Sequence, residues 1–265
     1  MIATRFAALR RRYYGRSVRL VSWLGIAFPR LLLGWTVVLG AICMLKVAFP
    51  VVAPTGLRSF AETVLPYMLI LTSPFAAWWA ADRLFPHGLV YAQPEIRLAR
   101  VGRWHTIDVL TARAHRAFGA GGFMASLIVG MMLNVPVRTA EFITAVPAMN
   151  SNAPLWGQMI FVGMATDLAL MNFLYVLCFF AALRRVPWFP RLLLLTWGID
   201  LCGQLILAQY LAAAPGLPPA VAGGIGTVLS GNMKAILISM MVWLPYLLMS
   251  ERVNVTYRQR QSALA

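Results

Sequence analysis

Four ionisable side chains sit inside apolar runs of this sequence: Lys46, Asp167, Asp200 and Lys234. A charge at the centre of a membrane helix costs about 2.5–3.5 kcal/mol on insertion scales, so each of these needs a partner or a purpose. Depth follows from counting residues at about 1.5 Å each from the nearest flanking charge. Asp167 precedes Arg184 by seventeen residues and Lys234 precedes Glu251 by seventeen. Both therefore reach roughly 25 Å from one boundary, and opposite charge at equal depth predicts an Asp167–Lys234 ion pair. Asp200, nine residues past Arg191, falls near the midplane, with Gln204 one turn further on and Asn172 at comparable depth. A midplane carboxylate with amide neighbours suits a proton- or cation-coupling site. A protonated, hydrogen-bonded packing residue would use the same residue types. Lys46, near the outer end of its run, is expected to snorkel.

A second group with chemical potential is His105, Asp108 and His115. On one helix over 103–116 they would share an arc of roughly 80°, which invites a metal site. An amphipathic helix with Arg103, Arg113 and Arg116 toward lipid phosphates explains the same stretch. The sequence contains no HExxH box, GxSxG elbow, P-loop or dinucleotide fingerprint. Neither a metal nor another cofactor is expected. Cys43, Cys178 and Cys202 all lie in apolar runs without CxxC spacing and read as small packing residues.

The elements that must hold these groups are membrane spans. Hydrophobic residues make up 60% of 265 and charged residues 12%, and the mean hydropathy is +0.74. A chain of that composition cannot present a water-facing surface, whereas a hydrocarbon core about 30 Å thick needs roughly 20 apolar residues per helix. Six spans are predicted, at about 31–52, 63–85, 117–135, 156–183, 191–213 and 226–249. The fold class is an all-α polytopic helical bundle. Residues 1–30 form a basic amphipathic segment lying on the surface, with Arg10, Arg11 and Arg12 toward anionic headgroups. Residues 31–85 form a two-helix membrane module, 86–116 an interfacial loop, 117–250 a four-helix domain and 251–265 a basic tail.

The formal net charge is +15, from 23 Lys and Arg against 8 Asp and Glu. A nucleic-acid binder would need a soluble domain to present such a charge, and no such domain is foreseen. With both termini inside, nineteen arginines fall on cytoplasmic segments, against Arg58 and Arg138 outside. The positive-inside rule therefore predicts cytoplasmic termini.

The segment from Val242 to Tyr257 contains Trp243, Pro245, Tyr246, Ser250, Arg252, Val253 and Thr256 in the spacing W-x-P-Y-x-x-x-S-x-R-V-x-x-T, closed by Tyr257. It resembles the closing motif of the bacterial inner-membrane family catalogued as domain of unknown function 2569, which ends in phenylalanine instead. Gly121-Gly122-Phe123 and the turn from Arg184 to Pro190 are compatible with that family. The likeness covers about 116–260 and implies a four-span module in a bacterial inner membrane, with no activity attached. Read physically, Pro245 kinks the last span and Arg252 crosses the interface toward lipid phosphate.

Without a catalytic motif, the first expectation is a non-enzymatic accessory or assembly subunit of a larger membrane complex. Its partners would be other membrane proteins or further copies of itself. The alternatives are a small proton- or ion-coupled transporter using Asp200 with the Asp167–Lys234 pair, and a lipid-linked enzyme using His105, Asp108 and His115.

Overall fold

The computed structural model describes residues 2–94 and 102–263, with side chains from residue 12 onward. Arg10 and Arg11, assigned to headgroups on sequence grounds, have side chains outside the described residues. The chain runs α1 (Ile2–Ala48), α2 (Leu57–Leu84), β1 (Trp104–Thr106), α3 (Val109–Ala114), α4 (Phe123–Ala145), α5 (Leu155–Leu183), α6 (Phe189–Ala212), α7 (Pro219–Met249), α8 (Glu251–Arg258) and β2 (Arg260–Ser262). Six of these helices, α1, α2 and α4–α7, are long and apolar enough to cross a membrane. The protein is a multi-pass, all-α membrane bundle.

Helix α5 is the hub. Sixteen of its twenty-nine residues are buried, because it packs against α2, α4 and α6 and touches α1. Helix α7 is the opposite case, with only Leu229, Ile236 and Leu247 buried among thirty-one.

Residues near both ends of the chain share one face. The Arg252 guanidinium lies 5.0 Å from the ring centre of Tyr14, and the Ser17 hydroxyl accepts from the Gly122 amide at 2.6 Å. This terminal face also carries β1, paired antiparallel with β2, and the α5–α6 turn. The opposite face is knotted by asparagines: Asn150 donates to the Val52 carbonyl at 2.8 Å and Asn152 to the Ala53 carbonyl at 3.2 Å.

Three sequence expectations are corrected. The surface segment and the first span form one helix of 47 residues that passes through Pro29. From residue 17 this helix is a bundle member. Ser17, Val21, Leu24, Phe28 and Leu32 are buried at helical spacing on both sides of the proline, so the packed stripe outweighs the one lost backbone bond. The third span extends ten residues beyond its expected end, to Ala145, and takes Pro136 and Arg138 into the helix.

The tail is also structured. Val253 through Arg258 are buried in α8. Tyr257 donates to the Ala182 carbonyl at 2.9 Å, Thr256 accepts from the Gly119 amide at 2.9 Å, and Arg258 donates to the Leu247 carbonyl at 2.7 Å. Burial and the neighbouring charges of Arg260 and Arg191 pull the Arg258 pKa down to about 10. Replacing Tyr257 by Phe removes one buried bond while Ala182 keeps the Arg185 amide. We expect a loss of about 1 kcal/mol, read as a small drop in the thermal unfolding midpoint in detergent.

Buried apolar side chains form two clusters stacked along the bundle. One lies toward the terminal face and includes Phe28, Val135, Met171, Trp197 and Ile236. The other lies toward the opposite face and includes Phe142, Leu168, Leu207 and Leu229. On α4, α6 and α7 the two clusters are separated by intervals that hold polar residues, and on α5 they meet between Leu168 and Met171, flanked by Asp167 and Asn172.

Candidate functional site

The polar layer is built around Arg138 of α4, whose side chain is 8% exposed. Its fork is shared between two helices. Nη1 donates to Asp200 Oδ1 of α6 at 2.8 Å and Nη2 donates to Asp167 Oδ2 of α5 at 3.2 Å. The second oxygen of Asp200 accepts from the Tyr175 hydroxyl at 2.8 Å. Asp167 Oδ2 also accepts from Gln204 Nε2 at 2.8 Å. Gln204 in turn accepts from Asn232 Nδ2 of α7 at 3.2 Å. Beside them Asn172 donates to Thr139 at 3.2 Å, and Thr139 donates to the Val135 carbonyl. Four helices thus meet in one hydrogen-bonded layer, in which the planar guanidinium presents a separate nitrogen, in fixed geometry, to each of two carboxylates.

Packing places the layer where it is. Gly203 sits one turn from Asp200, and a Cβ there would lie 3.2 Å from Asp167 Oδ1, so glycine allows α5 and α6 to approach at this level. Asp200 and Gln204 are fully enclosed, as their one-turn spacing on the inner face of α6 requires.

Two cavities adjoin the layer. A space of about 130 Å³ toward the terminal face is lined by Asn134, Tyr175, Asp200, Ser239 and Trp243. A smaller one of about 20 Å³ toward the opposite face is lined by Glu141, Asp167 and Gln204. Arg138 and Asn232 line both and stand between them. A single water needs about 10–15 Å³ with polar partners, so both spaces can hold water against an ionisable group.

Sequence reading places Asp200, Gln204 and Asn172 near the midplane and Asp167 farther out, and the structure brings all four to one layer. It does not join Lys234. That side chain is exposed on α7, Asp167 is held by Arg138 and Gln204, and no Asp167–Lys234 ion pair exists among the described residues. Read locally, Pro136 followed by a charge resembles a helix stop and puts Arg138 in an outer loop, whereas both lie within α4. The one available signal was the presence of two aspartates, Asp167 and Asp200, within the apolar runs that follow it.

The interfacial group is likewise rearranged. Residues 103–116 are a strand, a cap and a short helix, so the proposed single helical face does not form. His105 lies in β1 opposite Gln261. Asp108 caps α3 by accepting from the Leu110 and Thr111 amides at 2.9 and 3.1 Å. The Thr111 hydroxyl, then its amide, holds the Asp108 carboxyl below its ordinary value. His115 ends α3, with Nδ1 accepting from the Ala117 amide at 3.1 Å and Nε2 3.7 Å from Glu251. Among the described residues no three His, Cys, Asp or Glu side chains converge to hold a metal ion.

Of the C-terminal motif, Trp243 and Tyr246 pack on Phe123, with ring centres 4.7 and 5.0 Å away. Pro245 lies within α7, Ser250 stands at its junction with α8, and Val253 is buried. Arg252, expected to face lipid phosphate, instead donates to the Gly119 carbonyl at 3.3 Å and covers Tyr14. The motif is thus a clasp joining α1, the start of α4 and the tail. Arg12 is exposed on α1.

No protein-family model, no curated protein and no solved structure matches this chain.

Proposed function

We propose that this protein is a small proton-translocating transporter of a bacterial inner membrane, with its terminal face in the cytoplasm and the Arg138 layer as its proton site. One observation carries the reading: Arg138 is bonded to two carboxylates that face separate cavities on opposite sides of it. One guanidinium cannot neutralise two ionised carboxylates, so the enclosed group is balanced when one of them holds a proton. A proton taken by Asp200 from the larger cavity weakens its bond to Arg138 and leaves the guanidinium to Asp167. A proton on Asp167 does the reverse on the other side. The arginine then acts as a positioning residue that couples the two carboxyls, and buried ionisable groups in membrane helices characteristically serve such relays.

The orientation rests on charge. With Arg138 withdrawn from the loops, Arg58 is the one arginine among the described residues that the span order assigns to the opposite face, and the basic side is the cytoplasmic side. The resemblance to the bacterial inner-membrane family agrees with that location and assigns no activity.

The test is proton flux into proteoliposomes carrying a trapped pH dye, driven by a potassium diffusion potential. Wild-type protein is expected to conduct well above empty vesicles, and Asp200→Asn to lose at least about tenfold, the usual size of a general acid–base contribution being 10²–10⁴. Wild-type flux no faster than empty vesicles overturns the reading.

A second reading, assembly with other membrane proteins or with itself, is favoured by one face of α7. Ala220, Gly224, Thr227 and Gly231 recur at helical spacing and are all exposed. At both glycines nothing lies within 4 Å of an added Cβ, and such small-residue faces let membrane helices approach closely. Gly224→Leu with Gly231→Leu is expected to reduce the native mass of the gently extracted protein to that of one chain. An unchanged mass would remove this face from any interface.

A further inference from the structure

A cavity of about 1070 Å³ opens at the terminal face, between α1, the ends of α2 and α5, and the loop after α2. Its two halves differ in chemistry. The part toward the membrane is walled by Val21, Gly25 and Ile26 of α1, Trp78 of α2, and Phe180 and Leu183 of α5. The part toward the face is lined by Arg113, Arg184, Arg185, His87 and Gln93, with Asp82 the acid. Arg184 and Asp82 are paired, which leaves the Arg113 and Arg185 charges unmatched by any acid lining the cavity.

Two hydrogen-bond donors in this lining are unsatisfied. Arg184 directs its Nη1 to the Ala81 and Phe85 carbonyls at 2.7 and 2.8 Å, while its buried Nε makes no hydrogen bond to the protein. The side chain is only 5% exposed. The buried Nε2 of Gln93, in the same lining, is also without a partner. Buried polar atoms are nearly always bonded, and two unpaired N–H donors beside two unmatched guanidinium charges ask for an acceptor-rich anion. The apolar half asks for a chain, and the volume is at the upper end of what small-molecule sites enclose.

We infer that this cavity is a binding site for one phospholipid with an anionic headgroup. Its phosphate lies among Arg113, Arg185 and the free N–H groups of Arg184 and Gln93, and its acyl chain lies along α1 beside Gly25. Gly25 is the position that keeps the apolar half open. A Cβ there meets only Leu183 Cδ1, at 3.6 Å, so a larger side chain fits the helix while filling the channel. The site is independent of the Arg138 layer and of any transport activity.

The full-length protein is to be purified in detergent containing equal phosphatidylglycerol and phosphatidylcholine, and retained lipid counted by native mass spectrometry. Wild-type protein is expected to keep one phosphatidylglycerol. Arg113→Gln with Arg185→Gln removes the unmatched charges and is expected to weaken retention roughly tenfold or more, each basic residue contributing about a fivefold step in affinity for anionic lipid. Gly25→Leu is expected to abolish retention with both charges intact. Arg103→Gln with Arg116→Gln removes as much charge outside the cavity and is expected to leave it unchanged. Equal retention of phosphatidylcholine, or retention undiminished in both cavity variants, overturns the inference. Displacement of the lipid by sn-glycerol 3-phosphate at equal concentration would also overturn it, because the ligand would then be a soluble phosphate ester.

Discussion

Arg138→Met is expected to destabilise the bundle by about 3–5 kcal/mol, the cost of stranding the partners of a buried ion pair. Asp167 and Asp200 would each lose a guanidinium bond, at 3.2 and 2.8 Å, and the carboxylate charge they share would be left without a buried counter-charge. Resistance to unfolding in sodium dodecyl sulfate, followed by tryptophan fluorescence, measures the loss. Arg138→Lys is expected to fall between, since one ammonium cannot hold the two-pronged geometry. Adding Asp167→Asn and Asp200→Asn to Arg138→Met should recover most of the stability, because neutral amides no longer require a counter-charge. Proton flux should not return with it. A triple variant as unstable as the single one would show that the guanidinium contributes packing rather than charge compensation.

Phe28→Ala is the second large effect, at about 3–5 kcal/mol for a buried aromatic truncated in a packed core. Phe28 is 1% exposed. Its ring centre lies 4.7 Å from that of Phe180, 5.7 Å from Phe179 and 6.1 Å from Trp78, so one side chain fixes α1 to both α2 and α5. The same detergent titration reads it. The comparison with Trp23→Ala is decisive, because Trp23 stands 54% exposed on the same helix and its loss is expected to change stability little. Equal effects would mean that residues 17–28 lie in the interface, as the sequence first suggested, and not in the bundle.

What the sequence determined by itself is the solvent. Apolar runs of about 20 residues, separated by arginine-rich loops, leave a bilayer as the only medium in which the backbone can be satisfied, and the six spans follow. The midplane depth of Asn172, Asp200 and Gln204 was legible too, because a helix rises by a fixed increment and depth is a count, whereas the same count from Arg184 set Asp167 farther out than the layer it joins.

Tertiary structure decided which charges meet. Depth says nothing about rotation between helices, so Lys234 matched Asp167 in height while α7 turned it outward. Arg138 was hidden for a related reason: its burial is tolerable only with Asp167 and Asp200 in place, and they arrive from helices 29 and 62 residues away along the chain. The continuity of α1 through Pro29, and the burial of the tail from Val253 to Arg258, have the same origin. Both depend on surfaces supplied by distant segments, and a local reading of charge and proline assigns such residues to the surface until those surfaces are in view.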